Sequence, residues 1–174
     1  MSKGFTLIEL MISITILTLT IGGGMVYMNN FNASQKIQTT KSNLISVLKQ
    51  ARSFANTSQL PNNPGSDPLR CVMVTIDNSG LATIKTEYGS VYLTKQVADS
   101  NVTITLTNQS NYVNVVPCFA YYSGKLLVPG SNPTVYDTLT SGTAFYYSIQ
   151  TAELGAGTTD VVSVNQSGTI NEKL

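Results

Sequence analysis

Met1-Ser2-Lys3-Gly4-Phe5-Thr6-Leu7-Ile8-Glu9-Leu10 opens the chain, and an apolar run continues from it to Met28. Residues 5–28 hold a single charged residue, Glu9, and are long enough to cross a hydrocarbon core of about 30 Å as a helix. A carboxylate inside such a segment is costly, roughly 2.5–3.5 kcal/mol at mid-bilayer on insertion scales. Something must neutralise it. A secretory signal peptide would place a small-residue cleavage site after the apolar run, and no Ala-x-Ala pattern follows this one. The small residue, Gly4, instead precedes the run, so a cut there leaves the run in the mature protein.

Gly4-Phe5-Thr6-Leu7-Ile8-Glu9-Leu10 resembles the type IV prepilin signature at every position. The resemblance implies cleavage after Gly4 by a prepilin peptidase on the cytoplasmic side and N-methylation of the new amine on Phe5. Lys3 fits a cytoplasmic leader. It further implies a single-pass protein of the bacterial inner membrane, its head in the periplasm, which enters a pilus or pseudopilus. Its partners are then other pilin or pseudopilin subunits and the inner-membrane assembly platform. Glu9 lies one helical turn beyond the amine. In the family its counterpart pairs with the N-terminal amine of a neighbouring subunit, so that two unfavourable burials become one tolerable pair that also sets register.

The anchor is unusually polar. Ser13, Thr15, Thr18 and Thr20 can bond back to carbonyls a turn earlier, and Gly22-Gly23-Gly24 places three poor helix formers in a row. A kink or melted turn near 18–25 is expected once subunits pack in a filament. Beyond the anchor, Ile37, Leu44, Val47, Leu48, Ala51, Phe54 and Ala55 recur at helical spacing, which makes residues 29–58 an amphipathic stem. Lys41, Lys49 and Arg52 fall together beside that stripe. A helix over 5–58 would be about 80 Å long. Pro61-Asn62-Asn63-Pro64-Gly65-Ser66-Asp67-Pro68 should end it.

The remainder, 59–174, reads as a loop and a β-rich head. Cys71–Ile76 and Leu81–Glu87 flank a hairpin turn, Asp77-Asn78-Ser79-Gly80. Strands are expected at Ser90–Lys95, Val102–Thr107, Tyr112–Tyr122, Lys125–Val128, Thr143–Gln150, Asp160–Asn165 and Thr169–Glu172. Pro117 would split its strand or confine it to an edge. The expected class is α+β, a type IV pilin fold with one long N-terminal helix packed on an antiparallel sheet.

Charged residues make up 11% of the 174, which is low. Without Lys3 the mature chain is formally neutral. Lys36, Lys41, Lys49 and Arg52 lie between 29 and 60 with no acid among them, whereas acids outnumber bases from Asp67 onward. A basic stem and mildly acidic head suit head-to-stem contacts in a polymer. Those four cations are also the candidate contacts to nucleic acid or to a subunit. Cys71 and Cys118 are the only cysteines. An oxidising compartment favours their pairing; two buried free thiols are the alternative.

Three stretches of the head resemble the GspH/FimT-like minor pilins and pseudopilins. These are Leu44–Ser53, ending Gln50-Ala51-Arg52-Ser53; Phe119–Gly124; and Val161–Ile170, with Ser167-Gly168-Thr169-Ile170. The resemblance implies a low-copy subunit that helps initiate or cap a type IV pilus or type II secretion pseudopilus. Retention of Glu9 argues against the tip position of a secretion pseudopilus. Some FimT-like members bind DNA through arginines in the closing hairpin; here Gly168-Thr169-Ile170-Asn171-Glu172-Lys173 has no arginine. The alternatives are a major pilin and a DNA-binding competence pilin.

Catalysis is not expected. The chain has no histidine, no nucleophile elbow and no phosphate loop. Asp77, Asp99, Asp137 and Asp160 sit at turn-like places that favour Asp for local hydrogen bonds. Two cysteines without histidine do not make a usual zinc site, so neither metal nor cofactor is expected.

Overall fold

The computed structural model describes residues 6–58, 70–108, 116–129, 136–138, 144–154 and 159–173. The expected proline-rich stop at 61–68 lies outside them. One helix, α1 (Leu7–Thr57), runs for 51 residues. Its start is set by a capping box: the Thr6 hydroxyl accepts from the Glu9 N–H at 3.3 Å, and the Glu9 carboxylate accepts from the Thr6 N–H at 3.1 Å. The hydroxyls of Ser13, Thr15 and Thr20 donate to the carbonyls of Glu9, Met11 and Ile16, and Thr18 donates to that of Thr15. α1 continues through Gly22 and Gly23, around which there is open space; the break expected at 18–25 concerns packed subunits and remains a proposal.

Burial divides the helix sharply. Described side chains from Leu7 to Asn32 are exposed, and the first buried one is Ala33. From there Ile37, Leu44, Val47, Leu48, Ala51 and Ala55 form the buried stripe. The helix ends at Ser58 in the left-handed region, φ 50°, where its N–H donates to the Ala55 carbonyl at 3.3 Å. The Tyr122 N–H reaches the same carbonyl at 3.0 Å, so a turn of the head completes the cap.

Among the described residues the head holds two antiparallel sheets. Strands β1 (Cys71–Ile76), β2 (Leu81–Thr86), β3 (Val91–Gln96), β5 (Cys118–Ala120), β6 (Leu126–Pro129) and β7 (Tyr136–Thr138) form one, in the order β3-β2-β1-β5-β6-β7. Strands β4 (Val102–Asn108), β8 (Ala144–Thr151), β9 (Thr159–Asn165) and β10 (Ile170–Lys173) form the other, in the order β10-β9-β8-β4. A 3-10 turn, Ala152–Leu154, follows β8. Strict alternation of buried and half-buried side chains along β2 and most of β8 turns one face of each inward. The core lies where the helical stripe meets Val72, Val74, Ile84, Phe119 and Leu126 of the first sheet and Phe145, Tyr147, Ile149, Val162 and Val164 of the second.

The turn at Asp77 forms as its composition demands: the Asp77 carboxylate accepts from the N–H groups of Ser79 and Leu81, both at 2.9 Å. The strand expected over Tyr112–Tyr122 is corrected. Only Cys118–Ala120 is strand; residues 112–115 lie outside the described part, and Tyr121–Ser123 form a turn. Nor is it an edge, since β5 pairs with both β1 and β6. Pro117 is accommodated because it stands just before the ladder begins.

Cys71 and Cys118 form a disulfide, with Cα atoms 5.5 Å apart across the β1–β5 pair and a sequence separation of 47. Such a bridge stabilises by roughly 4 kcal/mol on the loop-entropy treatment. Reduction should therefore raise the intact mass by about 2 Da and lower the thermal midpoint of the head by about 10 °C. An unchanged midpoint after verified reduction would contradict this.

Candidate functional site

Two regions carry the candidate residues: the first turn of α1 and the seam between stem and head. Gly4 and Phe5 lie outside the described residues. Glu9 is exposed, and its Oε2 takes both the Thr6 N–H and the Thr6 hydroxyl, at 3.1 and 2.9 Å. A carboxylate accepts at two oxygens, and among the described residues only Oε2 is engaged, which leaves Oε1 for a further donor. Local capping and an intermolecular pairing are thus compatible on one side chain.

Along the seam the stem cations are drawn into the head of their own chain. Lys36 Nζ meets Glu153 Oε1 at 2.7 Å, and Asn101 donates to the same oxygen at 3.2 Å. Lys41 lies within the buried stripe, with 8% of its side chain exposed. Its Nζ sits 3.1 Å from Asp160 Oδ2 on β9 and 3.4 Å from Glu172 Oε2 on β10. Gln38 also donates to Asp160. Sequence periodicity set Lys41 beside the stripe because a charge normally faces water; two carboxylates brought in from distant strands permit its burial. Lys49 is exposed. Arg52 is half-buried, donates from Nη2 to the Ser167 carbonyl at 3.2 Å, and has a buried Nε without a partner. The four cations therefore do not form one solvent-facing patch.

Burial pulls the Lys41 pKa down, and the hydrogen bonds and charges of Asp160 and Glu172 outweigh it, leaving the pKa raised. The stabilisation linked to the Lys41 proton is complete below about 10.5 and is lost as pH rises through the higher folded value. Glu153 shifts the other way, lowered by its hydrogen bonds from Lys36 and Asn101. Its contribution is complete above about 4.5 and is lost as pH falls through the lowered folded value. Acidification below about 4.5 should therefore lower amide protection, taken relative to the intrinsic exchange rate at each pH, in the turn at 152–154 before it affects β8. Lys36→Met should remove that acid step. An identical profile in the variant would contradict the assignment.

At the far end of the stem, three segments converge. The tip of the β5–β6 turn (Gly124), the β9–β10 turn (Gly168) and Arg52 on α1 pack together: an added Cβ at Gly168 would run into the Gly124 carbonyl oxygen and come within 3.3 Å of Arg52 Nε. A backbone bond from Leu126 N–H to the Gln166 carbonyl, 3.0 Å, joins the two turns. Leu44–Ser53, Phe119–Gly124 and Val161–Ile170 each contribute one of these three residues to the junction. Sequence reading missed the meeting itself; the two turn glycines were its available signal. Among the described residues no group of three or more His, Cys, Asp or Glu side chains is placed to hold a metal ion.

One helix among the described residues is long and apolar enough to cross a membrane, and its most apolar stretch is wholly exposed, with a mean hydropathy of 1.8. Residues 1–25 match the family described as the prokaryotic N-terminal methylation motif. The chain thus carries a prepilin-type methylation signature at the head of that helix. By structure it is similar to the minor pseudopilin EpsH from the type 2 secretion system of Vibrio cholerae, at 12% identity and a TM-score of 0.46, over 81% of this chain and 95% of that one. No curated protein matches the chain by sequence.

Proposed function

We propose that the chain is a non-enzymatic assembly subunit, a minor pilin or pseudopilin of a type IV pilus or type II secretion system. Prepilin peptidase removes residues 1–4 at Gly4, and the new amine on Phe5 is methylated. Residues 5–28 anchor the protein in the inner membrane and later pack it into the filament. The stem, 29–58, carries the head, 59–174, in the periplasm. Polymerisation joins Glu9 of one subunit to the N-terminal amine of the next.

One observation carries most of this: a methylation motif opens directly into a single helix that is bare and apolar in its first half and buried by the head in its second. A soluble domain gains nothing from 26 consecutive positions, Leu7 to Asn32, whose described side chains are all exposed; a helix that passes from lipid into a bundle of its own kind uses all of them. Oε1 of Glu9 supports the pairing role, since accepting an amine there does not require breaking the cap. The DNA-binding alternative is weakened, because Lys36, Lys41 and Arg52 are engaged within the chain.

Copy number separates a minor from a major subunit. Filaments sheared from cells should contain this chain as a trace component beside another, abundant pilin. Dominance of this chain would make it the major pilin. Its absence from filaments and from membrane-held assemblies alike would remove the subunit role.

A further inference from the structure

The end of the apolar run fixes the height of the head above a bilayer. About 20 helical residues cross the hydrocarbon core, so a helix anchored by residues 5–28 leaves it between Gly24 and Met28. Tyr27 and Phe31, 74% and 50% exposed, stand at that boundary, where amphipathic rings settle among lipid headgroups. Asn29, Asn30 and Asn32 are the first amides of the helix. At 1.5 Å per residue they fall within the headgroup layer, which is roughly 5–8 Å deep on each side. The first buried side chain, Ala33, follows at once, so the base of the head rests directly on that layer.

A cleft of about 770 Å³ opens at this level, between α1 and the β3–β4 loop. Its size is that of a small-molecule site. Asn29, Asn32 and Gln35 line its membrane-proximal end, and Asp99 lines it from the head. The side chains of these four form no hydrogen bond or ion pair among the described residues. Lys36 and Glu153, also on the wall, are joined to each other at 2.7 Å. The charged lining residues are thus one cation, Lys36, and two anions, Glu153 and Asp99, which leaves the cleft with a net charge of −1. Exposed Asp99 is the carboxylate without a counter-charge.

Three free amides at the lower end supply N–H donors to an anionic oxygen, and the carboxylate on the head side accepts from a cation. The complementary ligand is therefore a zwitterion, anionic where it meets the lipid and cationic farther out. A phospholipid headgroup has that order, its phosphate next to the glycerol and its amine beyond. The kind of amine is also set. A primary ammonium offers Asp99 three N–H donors, whereas a quaternary ammonium offers none. A headgroup with a phosphate and no amine would bring a second negative charge to a cleft already negative.

We propose that this cleft binds the headgroup of a zwitterionic aminophospholipid, its phosphate at Asn29, Asn32 and Gln35 and its primary ammonium at Asp99. This rests on the proposed anchoring of residues 5–28. The full-length chain, reconstituted in nanodiscs of phosphatidylethanolamine, phosphatidylcholine and phosphatidylglycerol in equal parts, is released for native mass spectrometry. It should retain phosphatidylethanolamine about fivefold over either competitor. Asp99→Asn should abolish that preference with an unchanged melting temperature, because the chain itself uses only the Asp99 carbonyl, which accepts from the Val102 N–H at 2.9 Å. Soluble glycerophosphoethanolamine in millimolar excess should not displace the lipid, since the bilayer presents its own headgroup at a higher effective concentration. Equal retention of the three lipids, a preference that survives Asp99→Asn, or displacement by the soluble headgroup would overturn the proposal. So would a benzoylphenylalanine at position 35 that cross-links in cells to protein and never to lipid, which would make the cleft a subunit contact. A chain that does not enter the bilayer would instead remove the anchoring role, and this site with it.

Discussion

Glu9→Ala leaves cleavage after Gly4 and membrane insertion intact but depletes the chain from filaments by about tenfold or more, the scale expected when a buried amine is left without its partner. The variant loses two things at once: a carboxylate for the neighbouring amine, and the acceptor of the Thr6 N–H in the capping box. Glu9→Gln separates them. Glutamine serves the capping box as well as glutamate does, so α1 starts as before, but it presents no charge to an ammonium group. If pairing is the role of Glu9, the glutamine variant is as depleted as the alanine one. If it assembles normally, only the cap mattered, and the pairing role is lost. In membrane fractions both variants should carry the same processed N-terminus.

Gly168→Ala lowers head stability by about 3 kcal/mol, a fall of about 10 °C in its thermal midpoint. Two effects add. Gly168 is at φ 73°, where a side chain is strained, and its Cα faces the Gly124 carbonyl so closely that a Cβ has no room. That neighbour is backbone, held by the Gly124 N–H to the Ala120 carbonyl at 2.9 Å, so it cannot swing aside as a flexible side chain would. Gly89→Ala is the control, since Gly89 has φ 90° but nothing near its Cβ position. It should lose only the conformational part, about 1 kcal/mol. Equal losses at the two sites would mean that the junction of Arg52, Gly124 and Gly168 is not tightly packed.

The helix was legible because its signals are local. Apolar residues at helical spacing from Ile37 to Ala55 mark the buried face, and a run with one carboxylate marks the anchor. The hairpins at Asp77 and Ser167 were legible for the same reason, since turn chemistry lies within four residues. Division of the strands into two sheets was not. It depends on β4 finding β8, Val102 against Thr151, across a separation no local pattern encodes. Neither the short β7 nor the 3-10 turn at 152–154 had a periodic signal. In the seam, residue types were read correctly but not their partners. Lys41 reads as a surface charge until Asp160 and Glu172 arrive from the second sheet, and a basic stem with an acidic head describes, in large part, contacts inside one chain.

The most direct test of the whole account is the mass of the mature N-terminus, read from the N-terminal peptide of the chain isolated from membrane and assembly fractions. The account predicts a chain that begins at N-methylated Phe5, with Met1–Gly4 gone and the apolar run retained. A chain that still begins with its leader, or one cut beyond Met28, would contradict it.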